Sequence, residues 1–597
     1  MSRTSLMLFT VILFVTSSQA QQDIEARIRR VEEGLLPAVL VKGDSSWKIQ
    51  ERMKHHKVPG VSIAVINGFS VEWARSYGVK DMATKEPVTT QTLFQAASIS
   101  KTLNATVIMK KVQEGKLSLD ENVNAYLQSW KLPDNSFTEK KKITIANLLS
   151  HTGGTTVSGF PGYKVTASLP TVQQILKGEP PANTAPIIVD IEPARRFRYS
   201  GGGTTILQLV LMELEKQPYP QILKETILDP LQMTNSTFSQ PLPQDWARLA
   251  ATAHRPVDKP LEGKWHVYPE LAAAGLWTTP SDLAKYTVEH QLSVQGRSNR
   301  ILSREMEEKM MTPYIGEAYG LGFGAQKMGN ATYLGHSGGN EGFSCLLIAH
   351  MKSGYGAVVM INCNANAIIP EIIRSIAREY SWEDYLPAPF ETVALGLENL
   401  KRMSGRYLLD SDRAVNVSGE GGRVMADVTR MSRTELAPIS QTEFINREDG
   451  ARITFIQGST PVHDSLKIVG GAGIMRAFRI GEDQKVPYEL ISAGALDEAA
   501  DKYRAIRKSD PSDRAVRENT LNQMGYELMQ QNKTKEAIAI FALNVEFYPN
   551  SWDVYDSLGE AYANAGEKEL AIRNYKKSLE LNPKNSGAIE ALKKLEK

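Results

Sequence analysis

The sequence predicts an α+β domain, followed by a small all-β domain and an all-α tail. Strand-like apolar stretches first enclose amphipathic helical segments, short strands then follow one another between turn residues, and the tail repeats itself. A chain of 597 residues is also too long for one domain, because single cores stop growing at about 250–300 residues. We expect a cleaved leader at 1–20 and domains at 21–390, 391–497 and 498–597.

The leader has the pattern of a secretory signal peptide. Arg3 precedes the apolar run LMLFTVILFV, and small residues follow up to Ala20, where we expect cleavage. The alternative is an uncleaved membrane anchor, but the run is about half of the roughly 20 residues that a spanning helix needs. No later stretch of the sequence is long and apolar enough to span a bilayer. We therefore expect an exported protein, periplasmic or secreted, with no membrane span after cleavage.

The first domain has strands at its two ends and helices between them. Residues 58–81, VPGVSIAVINGFSVEWARSYGVKD, and residues 342–364 each predict a hairpin of apolar strands. Amphipathic periodicity predicts helices over 98–115, 143–150 and 203–216. This order indicates one antiparallel sheet whose edges come from both ends of the domain, with helices packed on it.

The two cysteines, Cys345 and Cys363, both lie in the second hairpin, which we expect to turn near residues 352–354. Two cysteines cannot form the framework of the fold. Their places on the two strands leave open a single disulfide in an oxidising compartment. The other interpretation is two buried small apolar side chains.

The middle domain is a series of short strand patterns. MSGRYLLD, GRVMADV, ARITFIQG and SLKIVGGAGIMRAFRI are separated by Gly, Asn and Asp turns. This spacing predicts a small β-barrel or sandwich. The segment contains no cluster of catalytic residue types.

The tail contains a repeat with a period of 34 residues. The repeated positions are Gly525, Ala537, Phe541 and Pro549, then Gly559, Ala571, Tyr575 and Pro583. The period and these positions resemble the tetratricopeptide repeat, a helical hairpin that commonly binds protein partners. Two full repeats are fewer than the roughly three that stacking requires, so we expect residues 497–508 and the final GAIEALKKLEK to act as caps.

The charge and histidine patterns exclude several functions. The chain has 69 basic and 67 acidic residues and no basic block, which gives no footprint for nucleic acid. His55 and His56 are adjacent, and neighbours on an extended strand point to opposite faces. No other histidine shows a ligand spacing, so we expect neither a metal nor another cofactor.

A serine and a lysine stand three positions apart at the start of a predicted helix. In QAASISKTLNA, residues 95–105, they are Ser98 and Lys101. This spacing places both side chains on one helix face, about one turn apart, so the amine can reach the hydroxyl and activate it. The N–H groups of the first turn also favour an oxyanion there. Spacing alone is weak evidence, since Ser45 and Lys48 share it.

Three further segments strengthen the interpretation of Ser98 and Lys101 as part of an active site. FRYSGGGTT contains Tyr199, YLGHSGGNEGF contains His336–Gly339, and NLLSHTGG contains His151. Over about residues 30–385 this order resembles the penicillin-recognising serine hydrolases, the group of class C β-lactamases, D-alanyl-D-alanine carboxypeptidases, D-aminopeptidases and related esterases. The resemblance implies a β-lactamase/transpeptidase-like domain, in which an antiparallel sheet packs with helices.

The resemblance also implies catalytic roles. Ser98 is the nucleophile, and Tyr199 with Lys101 forms the proton-relay pair. The lysine ammonium is expected to bring the tyrosine pKa down from about 10. The N–H groups of Ser98 and Gly339 form the oxyanion hole.

The substrate-binding strand departs from many β-lactamases. His336 stands where they carry lysine, as is familiar in carboxypeptidases and D-aminopeptidases of the group. When protonated, His336 can bind a substrate carboxylate, and we expect that binding to weaken as the pH rises through the pKa of the histidine. Ser337 is expected to donate a hydrogen bond to the same group, and Gly338 completes the motif.

A second departure follows the tyrosine. The family usually has asparagine two residues after it, and Gly201 supplies no donor for the amide carbonyl of a substrate. We expect the glycines at 201–203 to leave this loop open for a larger acyl group such as an ester. His151 is expected to hydrogen-bond a loop near the site, and Trp277 to pack in the core.

The leading hypothesis is an exported serine hydrolase that needs no cofactor. It acts through an acyl-enzyme on a small amide, a D-amino-acid peptide or an ester, with β-lactam hydrolysis as a side reaction. The alternative is an envelope sensor or scaffold that binds a cell-wall peptide or β-lactam without turnover and recruits a protein partner through its repeats.

Overall fold

The computed structural model describes residues 21–255, 259–316, 319–431, 433–470, 473–583 and 585–596. The predicted signal peptide lies outside the described residues. The chain forms two compact units. The first comprises the chain up to Pro37 together with Ser45–Pro387, and the second comprises Ala38–Asp44 together with Ala388–Lys597.

The first unit is built on a six-stranded antiparallel sheet. The strands of this unit, in chain order, are β1 (Gly60–Asn67), β2 (Ser70–Gly78), β3 (Phe94–Gln95), β4 (Tyr163–Lys164), β5 (His254–Arg255), β6 (Lys259–Pro260), β7 (His266–Val267), β8 (Trp277–Thr278), β9 (Gly324–Met328), β10 (Ala331–Asn340), β11 (Phe343–His350) and β12 (Gly356–Ile361). The sheet has the order β2, β1, β12, β11, β10, β9, and the short strands pair as β3–β8, β4–β7 and β5–β6. Both predicted hairpins are confirmed, and the two edges do come from opposite ends of the unit.

Helices cover both faces of this sheet. They are α1 (21–32), α2 (Ile49–His55), α3 (Ser100–Gln113), α4 (Ile145–Leu149), α5 (Val172–Lys177), α6 (Gly201–Glu215), α7 (Tyr219–Leu223), α8 (Gln244–Ala247), α9 (Leu271–Ala274), α10 (Pro280–Val294), α11 (Arg304–Met311) and α12 (Ile368–Glu379). On β1, Ala64 and Ile66 join the core that contains α3, whereas Ile63 and Val65 join the core that contains α12. Side chains alternate across a strand, so a central strand that is covered on both faces carries apolar side chains on both.

Helix α3 is buried over most of its length. Every residue from Ser100 to Met109 is buried, so the amphipathic helix expected here is instead buried on all sides. Two of its buried threonines bond to the chain just before them: Thr102 donates to the carbonyl of Ile99 at 2.9 Å, and Thr106 donates to the carbonyl of Thr102 at 3.0 Å. Such bonds allow polar residues inside a core.

The cysteines and Trp277 belong to the core. Cys345 lies opposite Met360 in the β11–β12 register, and the structure holds Cys345 and Cys363 as buried thiols. Trp277 has no exposed surface, and its ring lies 5.6 Å from that of Phe343. The predicted packing of Trp277 in the core is therefore confirmed. The two cysteines are buried side chains and do not form a disulfide.

The second unit contains a closed eight-stranded antiparallel barrel. A short helix, α13 (Leu397–Met403), precedes it. Its strands are β13 (Gly405–Leu408), β14 (Ala414–Glu420), β15 (Arg423–Val428), β16 (Thr434–Pro438), β17 (Glu443–Asn446), β18 (Arg452–Ile456), β19 (Ser465–Gly470) and β20 (Gly473–Ile480). β13 pairs with both β14 and β20, and inward side chains such as Tyr407, Phe444 and Phe455 fill the interior. Closure removes the free edges of a sheet.

The rest of the second unit is helical. Its helices are α14 (Pro487–Ser492), α15 (Leu496–Ser509), α16 (Glu518–Gln530), α17 (Thr534–Phe547), α18 (Trp552–Asn564), α19 (Lys568–Leu581) and α20 (Ser586–Leu595). The pairs α16–α17 and α18–α19 start 34 residues apart, as the repeat predicts. None of the helices in the described part of the chain is long and apolar enough to cross a membrane.

The two repeat glycines differ in how closely the next helix approaches them. A Cβ on Gly525 would lie 2.4 Å from the Phe541 ring, whereas one on Gly559 would lie 3.0 Å from the Tyr575 ring. We predict that Gly525→Ala lowers the free energy of unfolding by about 1–3 kcal/mol through overpacking, and that Gly559→Ala has the smaller effect. Amide hydrogen exchange of α16–α19 measures both, and equal loss of protection in the two variants would contradict the prediction.

Candidate active site

The turn that carries Ser98 is strained. Ala97 has a φ of 47°, a left-handed value that is uncommon for a residue with a Cβ. A 3-10 turn, Ala97–Ile99, leads into α3, and Ser98 is partly exposed between its two buried neighbours. Strained residues of this kind persist only where the surrounding structure fixes them. The fold therefore presents one hydroxyl at the start of a buried helix.

Lys101 lies against that hydroxyl. Its Nζ donates to Ser98 Oγ at 3.0 Å and to the carbonyl oxygen of Ala273, in α9, at 2.7 Å. The residue is 4% exposed, and burial lowers its pKa from the usual 10.5 to about 7. Much of the amine is therefore uncharged near neutral pH and has a lone pair that can accept a proton.

Tyr199 stands on the other side of the pair. It immediately precedes Ser200, the N-cap of α6, and the centroid of its ring lies 5.1 Å from Lys101 Nζ. Burial raises the pKa of Tyr199 to about 12, and a hydrogen bond with the Ser98 side chain offsets part of that rise. The expected lowering of this pKa by Lys101 is therefore wrong, because the same burial that affects the phenol also removes much of the amine's charge.

Strand β10 brings the remaining predicted residues to the site. β9 pairs with β10 only from Ala331 to Gly335, so the stretch from His336 to Asn340 forms the edge of the sheet. Along this edge His336 and Gly338 are buried, while Ser337 and Gly339 are exposed. Alternate residues of a strand face opposite sides, so one side of the edge packs inward and the other is open.

Gly338 allows the edge strand to touch the Ser98 turn. A Cβ at Gly338 would lie 2.3 Å from the carbonyl oxygen of Ala96 and 2.5 Å from Cys345 Sγ. Cys345 in turn donates a 3.2 Å hydrogen bond to the same Ala96 carbonyl. At Gly339 a Cβ would meet nothing within 4 Å. The motif that contains Gly338 and the segment that carries Ser98 are therefore in direct contact, although they are distant in the sequence.

His336 does not have the charge that the sequence suggested. Burial lowers its pKa to about 4, and the charge of Lys101 acts in the same direction. The expected binding of a carboxylate by protonated His336 therefore requires acidic pH, because the ring is uncharged near neutral pH. Taking a histidine out of water favours its uncharged form.

His151 has the structural role that the sequence predicted. Its Nδ1 accepts a hydrogen bond from the backbone N–H of Ser200 at 3.3 Å. Its ring lies 4.4 Å from that of Tyr199 and 5.0 Å from that of Tyr319. His151 therefore positions the segment that carries Tyr199.

The glycines after Tyr199 do not form an open loop. Gly201–Gly203 are the buried first turn of α6. A Cβ at Gly202 would lie 2.6 Å from the carbonyl oxygen of Thr156, and one at Gly203 would lie 2.9 Å from Thr155 Oγ1. The expected opening for a larger acyl group is therefore wrong, because these glycines let the helix start pack against the chain that follows His151.

Two contributions to the site could not be read from side-chain patterns. Ala273 acts through its carbonyl oxygen, and Ala97 through its backbone conformation. Among the described residues, no group of three or more His, Cys, Asp or Glu side chains is placed to hold a metal ion. The arrangement consists of a hydroxyl, an uncharged amine and a phenol, which is a set suited to nucleophilic acyl transfer.

The fold of the first unit is the β-lactamase/transpeptidase fold, whose members are serine hydrolases. A family model described as "Beta-lactamase" matches residues 48–376, and a tetratricopeptide-repeat model matches residues 552–585. The first match spans more than half of the chain. The chain belongs to the beta-lactamase family.

Several known proteins resemble the chain. "Protein flp" of Staphylococcus aureus (strain N315) is 25% identical over 354 residues, which cover 56% of this chain and 66% of that protein. The octameric penicillin-binding protein homologue from Pyrococcus abyssi is 21% identical, with a TM-score of 0.49 over 72% of this chain and 98% of that one. The D-amino acid amidase from Ochrobactrum anthropi SV3, complexed with L-phenylalanine amide, is 20% identical, with a TM-score of 0.45 over 60% and 99% of the two chains.

The two adjacent glycines of β10 provide a matched test of the site's packing. We predict that Gly338→Ala lowers the free energy of unfolding by about 1–3 kcal/mol, because its methyl group forces the strand away from Ala96. Gly339→Ala meets open space and should leave the melting temperature within about 1 °C of that of the wild type. Calorimetry of the purified chain measures both, and equal shifts in the two variants would contradict the packing argument.

Proposed function

We propose that this protein is a serine hydrolase that forms an acyl-enzyme on Ser98 and cleaves a small amide, D-amino-acid peptide or ester. The observation that carries the proposal is the 3.0 Å contact between Lys101 Nζ and Ser98 Oγ, made by an amine whose pKa is lowered to about 7. A serine becomes nucleophilic when an adjacent base can take its proton.

Lys101 is the base of the acylation step. In its neutral form the amine has two N–H groups and one lone pair. One N–H donates to the Ala273 carbonyl. In this neutral form the 3.0 Å contact with Ser98 is made the other way round from the ammonium form, with Oγ–H donating to the Nζ lone pair. As Oγ bonds to the substrate carbonyl carbon, its proton passes to Nζ, and Lys101 becomes an ammonium.

Tyr199 completes the proton path. Its pKa of about 12 keeps the phenol protonated at neutral pH. It donates that proton to the leaving amine or alcohol as the bond to the carbonyl carbon breaks, and it recovers one from the Lys101 ammonium. Both groups then return to their starting protonation states. Water attacks the acyl-enzyme by the reverse sequence and releases the acid.

The carbonyl oxygen becomes negatively charged during both steps. The N–H groups of Ser98 and Gly339 are the proposed donors to it, since Gly339 lies on the exposed side of the β10 edge. Preorganised backbone donors of this kind supply a large share of the rate in acyl transfer. Ser337, next to it on the same exposed side, is the proposed donor to the remainder of the substrate.

Among substrates, D-amino-acid amides or peptides and esters rank level, and β-lactams rank behind them. The stretch from His336 to Asn340 contains no lysine or arginine, and His336 is uncharged near neutral pH. The edge strand thus offers no cation to the carboxylate that penicillins carry. Export through residues 1–20 belongs to the same proposal and places these substrates outside the cytoplasm.

We predict that fluorophosphonate labels Ser98 at a rate that rises with pH around a midpoint near 7. The reason is the pKa of Lys101, about 7: below it the amine is protonated and cannot accept the serine proton, and above it the lone pair is available. Intact-mass spectrometry with peptide mapping measures rate and position. A rate that does not change between pH 5.5 and about 8.5 would exclude Lys101 as the base.

Two arginine variants separate the base from general effects of charge. Lys101→Arg keeps a positive group that does not deprotonate, and we expect labelling to fall by about 100-fold or more. Lys110→Arg, on the same helix and half-exposed, should label at the wild-type rate. Ser98→Ala should form no adduct. A penicillin adduct that is lost rapidly would raise β-lactam hydrolysis above the other two activities.

The second candidate function is a sensor or scaffold, and a groove in the repeats favours it. The groove encloses about 430 Å³ and is lined by polar residues of α16 and α18, namely Glu518, Asn519, Asn522, Gln523, Tyr526 and Asp553. Concave repeat surfaces commonly bind peptides. In the host, Ser98→Ala should abolish the biological effect if catalysis is the function. Retention of the effect by Ser98→Ala, with loss in a groove variant such as Asn522→Arg, would favour the scaffold.

A further inference from the structure

His336 is bound through one ring nitrogen only. Its Nδ1 lies 2.6 Å from the carbonyl oxygen of Ser337. A carbonyl oxygen can only accept a hydrogen bond, so Nδ1 carries the proton. A neutral imidazole has a single N–H, and Nε2 is therefore an acceptor with a lone pair.

The surroundings keep this ring uncharged. Burial and the charge of Lys101 both lower the pKa of His336, and only the bond to the Ser337 carbonyl acts against them. Carboxylates lie beside His56, His290 and His350, whereas the groups that shift the pKa of His336 include no carboxylate. The tautomer with the proton on Nδ1 is thus the resting state of the site.

Nε2 is buried and has no hydrogen-bond partner among the residues that the structure describes. The ring lies close to the proposed catalytic residue Tyr199, with 6.0 Å between the two centroids, and its centroid is 6.2 Å from that of Tyr319. Buried polar atoms are almost always paired, and an unpaired one is costly. At this place in the fold, a group of the bound substrate can supply the partner.

We propose that His336 Nε2 selects substrates whose acyl group carries an N–H or O–H donor, and disfavours those with a carboxylate in the same place. The inference rests on the proposed function, because the donor's place is defined relative to the carbonyl that Ser98 attacks. An amine or hydroxyl satisfies the buried acceptor. A carboxylate would present its own lone pairs to the lone pair of Nε2, and the β10 edge has no cation to offset this.

Three p-nitroanilides that differ in one group test this selection. The acyl groups are phenylalanine, as either enantiomer, 3-phenylpropionic acid and benzylmalonic acid, which place an amine, a hydrogen or a carboxylate on the same carbon. The phenyl ring suits the half-exposed ring of Phe197, whose centroid lies 5.5 Å from that of Tyr319. We expect kcat/KM to be about 10- to 100-fold higher for one phenylalanine enantiomer than for the hydrogen analogue, and lowest for the carboxylate.

Variant His336→Leu removes the acceptor and keeps an apolar side chain in the buried site. We expect kcat/KM for the amine substrate to fall to that of the hydrogen analogue, which itself changes by less than about threefold. A purely structural role would lower all three values in proportion. His55→Leu, at an exposed position of the same unit, should leave the three values unchanged. Equal hydrolysis of amine and hydrogen substrates by the wild type, or an unchanged ratio in His336→Leu, would overturn the inference.

A binding measurement keeps the inference separate from the proposed function. The Ser98→Ala chain is titrated with phenylalanine amide, as either enantiomer, and with 3-phenylpropanamide in a calorimeter. Tighter binding of one of the amine-bearing amides supports His336 as the acceptor, and equal or weaker binding of both overturns it. A wild-type Ser98 that takes up no fluorophosphonate would instead overturn the proposed function, and the titration would still decide the role of His336.

Discussion

The burial of one amine controls the chemistry of the site. Lys101 sits between the Ser98 hydroxyl and the Ala273 carbonyl, and neither of these neighbours carries a charge. Desolvation then favours the neutral amine and makes it a base near pH 7. The same dry surroundings keep Tyr199 protonated and His336 neutral. Near neutral pH the phenol and the imidazole are thus uncharged, and Lys101 is close to its own pKa, so the amine can take up and release a proton.

This arrangement depends on contacts that only small residues allow. Gly338 lets the β10 edge touch the Ala96 carbonyl, and the glycines at 201–203 let the start of α6 pack against residues 155–160. Those contacts hold the strained Ala97 and the segment that carries Tyr199, which His151 also fixes through the N–H of Ser200. The glycines beside the site therefore allow close packing of the backbone and do not open a space for substrate. Tyr199, Ala273 and Gly338, on three separate segments, thus contact the segment that carries Ser98 and Lys101.

In the second unit, most contacts join elements that are neighbours in the sequence. The barrel closes when β13 pairs with β20, and apolar side chains fill it. The helix pairs repeat with the same period as their small residues. Gly525 and Gly559 each lie against an aromatic ring of the following helix, which allows the two helices of a pair to approach closely. A unit assembled from neighbouring contacts can be recognised from a period in the sequence. Its polar groove lies on α16 and α18, one helix from each repeat.

The sequence by itself determined the class of the fold, the two hairpins, the repeat and the identity of the residues that meet at the site. These features depend on the periodicity of apolar residues and on the order of the motifs, and both can be read from the sequence. Only the tertiary structure decided the protonation states: the spacing of Ser98 and Lys101 predicts their contact, but not that burial would take away the lysine's charge. For the same reason the sequence could suggest a cationic His336, whereas the fold buries a neutral ring with one open acceptor. A pKa depends on the water excluded by residues distant in sequence, and no local pattern records that exclusion.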